Sequence, residues 1–340
     1  MRIWITSLGL LAVMMSCDGG EAEDKPFGFE QPPHFPDATY TFDNNPVTQE
    51  GFELGKFIFN DPLLSRDSTV SCASCHDQRV AFADPQHRLS IGIDAQIGTR
   101  NAPPIFNLAF VNEFFWDGGV THVDFVPLNP IANPVEMDQD IAVVIEKMQA
   151  SALYQQKFAL AFGEGTEINS ARMLHALSQF MVMMVSANSP YDQYLLHGGA
   201  LGSTELRGLE LFENHCATCH EGNLFTDRSF RNNGLDAEVT DVGRYLITQQ
   251  DEDLAKFKVP SLRNIALTAP YMHDGRFETL EAILEHYNSG VQPSATLDPL
   301  LQSGGVLGIH LTKDEQTDII AFLQTLTDEE FVSNPLFFAP

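Results

Sequence analysis

The chain has 340 residues, enough for about two domains with filled cores. A hydrophobic content of 44% is ordinary for a globular protein and sets aside a wholly disordered chain. With 19 basic and 46 acidic residues the formal charge is −27, which argues against nucleic acid or anionic lipid as a partner and suits a basic protein or simple solubility.

The N-terminus reads as an export signal. Arg2 precedes an apolar run, Ile3 to Val13, that is too short and too one-sided for a membrane span. The run ends at Met14-Met15-Ser16-Cys17, and a small residue before Cys is the pattern of a bacterial lipoprotein cleavage site. Residues 1–17 are therefore expected to be a lipoprotein-type signal peptide with Cys17 as the lipid anchor, although Met14 replaces the usual Leu and leaves ordinary cleavage as the alternative. The expected location is periplasmic or outer-surface, with the membrane reached by the lipid anchor only. Residues 18–37 are rich in Gly, Glu, Asp and Pro without apolar periodicity and read as a flexible tether.

Two short motifs dominate the rest. Cys72-Ala73-Ser74-Cys75-His76 and Cys216-Ala217-Thr218-Cys219-His220 each have the spacing of a c-type haem attachment site. Two thiols add to the vinyl groups of one haem, and the adjacent His turns back to bind its iron. A zinc ribbon would use the four thiols together, and a redox Cys pair needs no trailing His. The reading is two covalently bound haem c groups, with Cys72, Cys75, Cys216 and Cys219 as attachment points and His76 and His220 as iron ligands. Cys17 is then the one Cys left over, as an anchor requires.

The stretches before the two motifs repeat. Glu53-Leu54-Gly55-Lys56-Phe57-Ile58-Phe59 is similar to Leu206-Arg207-Gly208-Leu209-Glu210-Leu211-Phe212, each with Gly and Phe four apart on a predicted helix. Between them, residues 85–136 form a long Pro-, Asn- and Gly-rich loop, a length that usually carries function. Ile141, Val144, Ile145 and Met148 predict a helix over 140–162, and residues 168–186 predict a buried helix whose methionines are core. Ser189-Pro190 and the Gly-rich run 197–203 mark a boundary. Leu280, Ile283, Leu284 and Tyr287 put Tyr287 on a buried helical stripe, and Ile319, Ile320, Leu323 and Leu326 predict a final amphipathic helix over 313–327. The fold class is mainly α: two tandem cytochrome c-like haem domains with long loops, residues 38–195 and 196–340.

Further stretches carry a family resemblance: Arg100-Asn101-Ala102-Pro103, Phe115-Trp116-Asp117-Gly118, Asn133-Pro134-Val135-Glu136-Met137, Val259-Pro260-Ser261-Leu262-Arg263-Asn264 and Tyr271-Met272-His273-Asp274-Gly275. With both haem motifs in order, the chain from about 45 to 328 resembles the bacterial di-haem cytochrome c peroxidase family, and within it the MauG-like branch. The resemblance implies a peroxide-reactive haem on the first motif and an electron-transfer haem on the second. It makes Glu136 the acid–base group over the peroxide haem and Trp116 the aromatic bridge between the haems. Ile93 stands where members needing reductive activation carry a displaceable His, so an open peroxide haem is implied, with His87 as a substitute ligand nearby. Tyr287 stands where many members have an axial Met; Met272 and His286 are the rival ligands. Val126 replaces a glutamine usual near the peroxide haem. A calcium ion is implied at Asn101 and at the backbone carbonyls of Thr268 and Pro270. His122 and His175 read as structural, and His273 as support near the second haem.

The function so implied is reduction of hydrogen peroxide with electrons from a small redox protein, such as a basic cytochrome c. The alternatives are a MauG-like oxidation of side chains on a partner protein and a non-enzymatic di-haem electron carrier. Family members often pair, so a homodimer is a further expectation, though no heptad or interface pattern in the sequence marks one.

Overall fold

The computed structural model describes residues 27–340, so the signal peptide, Cys17 and residues 18–26 of the expected tether lie outside the described residues. The first haem motif lies among α1 (Gln49–Asn60), α2 (Leu128–Ala132), α3 (Ile141–Ala150), α4 (Ala152–Phe162) and α5 (Ser170–Val182). A linking helix, α6 (Pro190–His197), leads to α7 (Ser203–His215), α8 (Tyr245–Thr248), α9 (Leu280–Glu285), α10 (Lys313–Gln324) and α11 (Glu329–Ser333). Two antiparallel ribbons are the described strands. β1 (Phe230–Arg231) pairs with β2 (Phe257–Lys258), and β3 (Gln302–Ser303) pairs with β4 (Val306–Leu307). The other described residues are mostly short 3₁₀ helices, turns and loops, residues 85–127 above all.

Local chemistry sets the helix ends. Thr48 Oγ1 accepts the Gly51 N–H at 3.0 Å to start α1, and Thr312 with Glu315 forms a capping box at α10. The expected single helix over 140–162 is two helices. Ser151 is extended (φ −93°, ψ 118°) and caps α4 instead of continuing α3. The amphipathic helix expected over 313–327 stops at Gln324.

The sequence repeat is a packing repeat. Gly55 on α1 crosses α5 so closely that a Cβ would lie 1.9 Å from the Ala176 carbonyl oxygen and 2.9 Å from Phe180 Cβ. Gly208 on α7 crosses α10 in the same way, 1.9 Å from the Asp318 oxygen and 2.9 Å from Phe322 Cβ. One turn on, Phe59 meets Phe180 and Phe212 meets Phe322, both with ring centroids 5.1 Å apart. Each domain thus rests on one helix pair that only glycine allows to touch.

Two segments depart from the expected boundaries. Residues 27–37 are not a free tether. Phe27 packs edge-on against Phe52, Phe29 stacks on Phe42 at 4.6 Å, and Phe35 is buried against Phe110. His34, expected in that tether, is buried with Nε2 2.9 Å from Asp192 Oδ1. At the other end, residues assigned to 196–340 return to the first domain. Phe331 and Phe337 join its core, both against Phe82, and Gln78 Nε2 donates to the Asn334 carbonyl at 2.8 Å.

The domains meet over a buried ion pair. Arg263, 1% exposed, donates to both oxygens of Asp192, 0% exposed, at 2.8 and 2.7 Å. Burial pushes the Asp192 carboxyl up, but the hydrogen bonds and charge of Arg263, with the Ser189 donors, outweigh it and hold the group below the usual range. Removing either partner would strand a buried charge.

The glycine crossings yield a direct test. Gly55→Ala or Gly208→Ala must push a carbonyl away from the helix contact, so each should destabilise the haem-loaded protein by about 3 kcal/mol, the upper range for overpacking. Urea unfolding followed by circular dichroism measures this; an unchanged midpoint for both variants would contradict the packing described.

Candidate haem sites

Each attachment motif ends in an imidazole held from behind. His76 Nδ1 lies 2.9 Å from the Phe82 carbonyl oxygen, and His220 Nδ1 lies 3.1 Å from that of Phe225. A carbonyl only accepts, so Nδ1 carries the proton and Nε2 keeps its lone pair, the form a metal takes. Burial, opposed by these carbonyls, pushes both imidazoles below their ordinary pKa and favours the neutral ring. Phe82 and Phe225 both adopt left-handed backbone (φ 55° and 53°), which turns their carbonyls back to the imidazole. Phe59 and Phe212 pack edge-on against Phe82 and Phe225 at 6.2 and 5.7 Å, so the repeated helix seats the repeated turn.

The second site opens on a cavity of about 470 Å³. Cys216, Cys219 and His220 line it with the apolar side chains of Ile265, Leu280, Ile283 and Leu323, while Arg231 and Asp298 give it a polar edge. Tyr287 lines the same cavity, and desolvation pushes its phenol up to about 12. The helix carrying it ends α9 in a π turn over residues 286–290, which aims Tyr287 at the cavity while His286 turns to the Asn233 carbonyl at 3.0 Å. Met272 also lines the cavity; its sulfur accepts from Asn233 Nδ2 at 3.3 Å. His273 stacks on Phe257 at 3.6 Å, and its buried Nδ1 has no protein partner. Paired thiols, an imidazole with a free Nε2, an apolar slot and an unsatisfied buried nitrogen together fit a haem.

Trp116 reaches this cavity from the first domain. Its indole N–H donates to the Asn101 carbonyl at 2.9 Å, and its own carbonyl accepts from the Lys258 N–H at 2.8 Å. The loop is clamped by charge: Arg100 binds Asp117 at 2.6 Å and Asp241 at 2.7 Å. Asn101, Thr268 and Pro270 lie in the same cavity wall, and the Asn101 amide donates to the Arg88 carbonyl at 3.1 Å, which turns its Oδ1 elsewhere. Lys258 lies here too; burial pulls its ammonium down to about 8 while Nζ donates to the Glu113 carbonyl at 2.6 Å.

At the first site the loop bearing Ile91, Gly92 and Ile93 closes over the thiols. Burial pushes the Cys75 thiol up to about 11, helped by the charges of Asp84 and Glu136 and opposed by a hydrogen bond at the Ile91 backbone. Ile93 is 1% exposed, and its N–H donates to the Glu136 carbonyl at 2.8 Å. Gly92 presses on the Glu136 backbone, where a Cβ would lie 2.4 Å from Cα. Burial pushes the Glu136 carboxyl up, only partly offset by Asn133, whose amide donates to Oε1 at 2.7 Å. His87 instead pairs with Asp84 at 3.0 Å, and Val126 packs on the first core. His122 and His175 both approach Asp124, at 3.5 and 3.8 Å.

Sequence reasoning passed over Asn133, Asn233 and Lys258. Asn133 stands three residues before Glu136, a spacing that lets a turn bring an amide to a carboxylate. Asn233 and Lys258 left no signal, since their partners are distant in the chain.

The comparisons agree with this geometry. Residues 49–200 match the model of the family described as di-haem cytochrome c peroxidase, and residues 206–327 match cytochrome c. The methylamine utilization protein MauG of Methylorubrum extorquens is 36% identical over 290 residues, covering 84% of this chain and 80% of that protein. The cytochrome c551 peroxidase of Nitrosomonas europaea is 33% identical over 291 residues, covering 84% and 82%. A crystal structure of a MauG-like protein associated with microbial copper homeostasis superposes with a TM-score of 0.83 at 34% identity, covering 92% of this chain and 99% of that one. The chain belongs to the di-haem cytochrome c peroxidase family, MauG-like proteins among its relatives. It is accordingly a mainly helical oxidoreductase that carries two c-type haems.

Purified protein should contain two haems per chain that survive denaturation, and Cys216→Ser with Cys219→Ser should leave one. The pyridine haemochrome assay and the mass of the denatured chain check the count.

Proposed function

We propose that this protein reduces hydrogen peroxide at its first haem site, drawing electrons through the second from a small redox protein. The observation that carries the reading is Glu136: a carboxyl pushed up by burial, beside the first thiol pair, with aliphatic Ile93 next to it and no nitrogen ligand. When bound, each haem supplies a redox-active iron that accepts or passes electrons. The chain's own residues do the rest. His76 and His220 would hold the irons, and Cys72, Cys75, Cys216 and Cys219 would fix the macrocycles. Glu136 takes a proton from one peroxide oxygen and returns it to the other, a role worth about 10²–10⁴-fold in rate. Without the usual glutamine at Val126, Glu136 is the proton relay. Trp116 is the aromatic group between the two sites, and Tyr287, which lines the same cavity as His220, would be the second protein group to hold that iron. A phenolate is hard and anionic, which favours oxidised iron, whereas an axial Met would raise the potential.

Several finer features belong to the same proposal. Asn101 Oδ1 with the carbonyls of Thr268 and Pro270 gives the oxygen set that calcium takes, with water completing it. Residues 1–17 export the chain, to the periplasm or outer surface, and Cys17 anchors it. No described helix is long and apolar enough to cross a membrane. The acidic surface suits a basic cytochrome c as donor, and a homodimer is the remaining expectation from the family.

Ile93 and Tyr287 favour a second reading, in which stored oxidising equivalents attack side chains of a partner protein as in a MauG-like enzyme. Isolating a partner with an oxidised Trp or Tyr would select it. An electron carrier without enzymatic activity would leave Glu136 without a task.

Two outcomes test the proposal. Glu136→Gln should slow the reaction with peroxide by about 10²-fold or more in stopped flow, with both haems retained. The pH dependence follows from the sign of the shift. Burial raises the Glu136 pKa, so the reactive carboxylate is lost as pH falls through a value above the usual carboxylate range. The Asn133 hydrogen bond favours the charged form, so Asn133→Leu should move this acid limb to still higher pH. A limb that stays in place would remove Glu136 from the step.

A further inference from the structure

The cavity of the second site offers two side chains that could face the iron, Tyr287 and Met272, and one residue in its wall, Asn233, holds Met272. Asn233 lies in the turn after β1, and its neighbours lock it. The Asn232 amide donates to Ser294 Oγ at 3.0 Å and Thr296 Oγ1 at 2.9 Å, and its Oδ1 accepts the Gly234 N–H at 2.9 Å. Gly234 has φ +68°, and a Cβ there would lie 2.7 Å from Val291 Cγ1 and 2.9 Å from the Gln292 carbonyl. The Asn233 carbonyl is tied to His286 Nε2 at 3.0 Å, which keeps that imidazole turned away from the cavity. The Asn233 side-chain amide donates to Met272 Sδ at 3.3 Å, and Tyr287 lines the same cavity wall.

A carboxamide nitrogen has two N–H donors and no acceptor. A thioether sulfur that accepts one of them gives up lone-pair density that it would otherwise offer to a metal. The amide therefore ties up one rival and leaves the other to turn to the metal. We propose that Asn233 is the positioning residue that presents Tyr287, and not Met272, to the iron opposite His220. The proposal rests on the reading of Tyr287 as the axial ligand. Asn233 is not itself a ligand; it acts through Met272, the side chain that competes with Tyr287 for the metal.

The test uses the full two-haem protein, with variants compared at equal haem content. Asn233→Leu removes both donors and keeps the bulk; Asn233→Asp keeps the shape, also removes both donors, and stands in if the Leu variant loads haem poorly. The readouts are the ferric magnetic circular dichroism spectrum and the midpoint potential of the second haem. Both variants should lose tyrosinate character and gain the signature of thioether ligation, and Asn233→Leu should shift to higher potential. Adding Met272→Leu to Asn233→Leu should abolish the thioether signature. Tyr287→Phe is measured in parallel. If it changes the spectrum while both Asn233 variants keep the wild-type spectrum and potential, the role of Asn233 is overturned. If Tyr287→Phe itself leaves the spectrum unchanged, the reading of Tyr287 as ligand fails, and the proposal with it. A purely structural Asn233 would lower the melting temperature without changing the ligand signature, which also overturns it.

Discussion

A histidine placed directly after a thiol pair can serve a haem only if the chain turns back at once and something fixes the ring. Here that constraint is met twice by one hydrogen bond, from Nδ1 to the carbonyl of a left-handed phenylalanine, Phe82 in one domain and Phe225 in the other. The carbonyl sets the tautomer and frees Nε2. The phenylalanine holds its unfavourable backbone because its ring packs on Phe59 or Phe212, and that ring is seated by a helix crossing that requires Gly55 or Gly208. Glycine, phenylalanine, carbonyl and imidazole form one chain of dependence in each domain.

The two copies differ in the residues around the attachment motif. Around the first, Ile93 is buried beside the Glu136 backbone, and Asn133 donates to the Glu136 carboxylate. Around the second, Tyr287, Met272 and Asn233 fill the cavity. A shared fold thus acquires two chemistries through loop residues, while the buried Arg263–Asp192 pair and the clamped Trp116 loop hold the sites in a fixed relation. His34 and Phe35, from the segment just before the first domain, close over that same ion pair, with Phe35 stacked under the Arg263 guanidinium at 4.5 Å.

Much of this was legible in the sequence because it depends on local spacing. The attachment motifs, the Gly–Phe repeat and the buried stripe ending at Tyr287 are short-range patterns, and each corresponds to a short-range structure. What was missed depends on contacts across the chain. Phe27, Phe29 and Phe35 sit at irregular intervals among Gly, Pro and Glu, so their packing on Phe52, Phe42 and Phe110 left no period. The return of Phe331 and Phe337 to the first core spans most of the sequence. Ser151 split a helix through a side-chain cap that competes with continuation, and the π turn at 286–290 altered the register after α9 without a proline or glycine to announce it at its start. Asn133 and Asn233 are single amides, and only their partners' positions give them meaning.

An open first haem site with Glu136 beside it would react while the protein is fully oxidised. Stopped-flow spectra of the oxidised protein mixed with one equivalent of hydrogen peroxide, without reductant, test this directly. The expected result is a prompt change in the main haem absorption band. A spectrum that stays unchanged until the protein is half-reduced would show that a ligand such as His87 blocks the site and would contradict the roles given to Ile93 and Glu136.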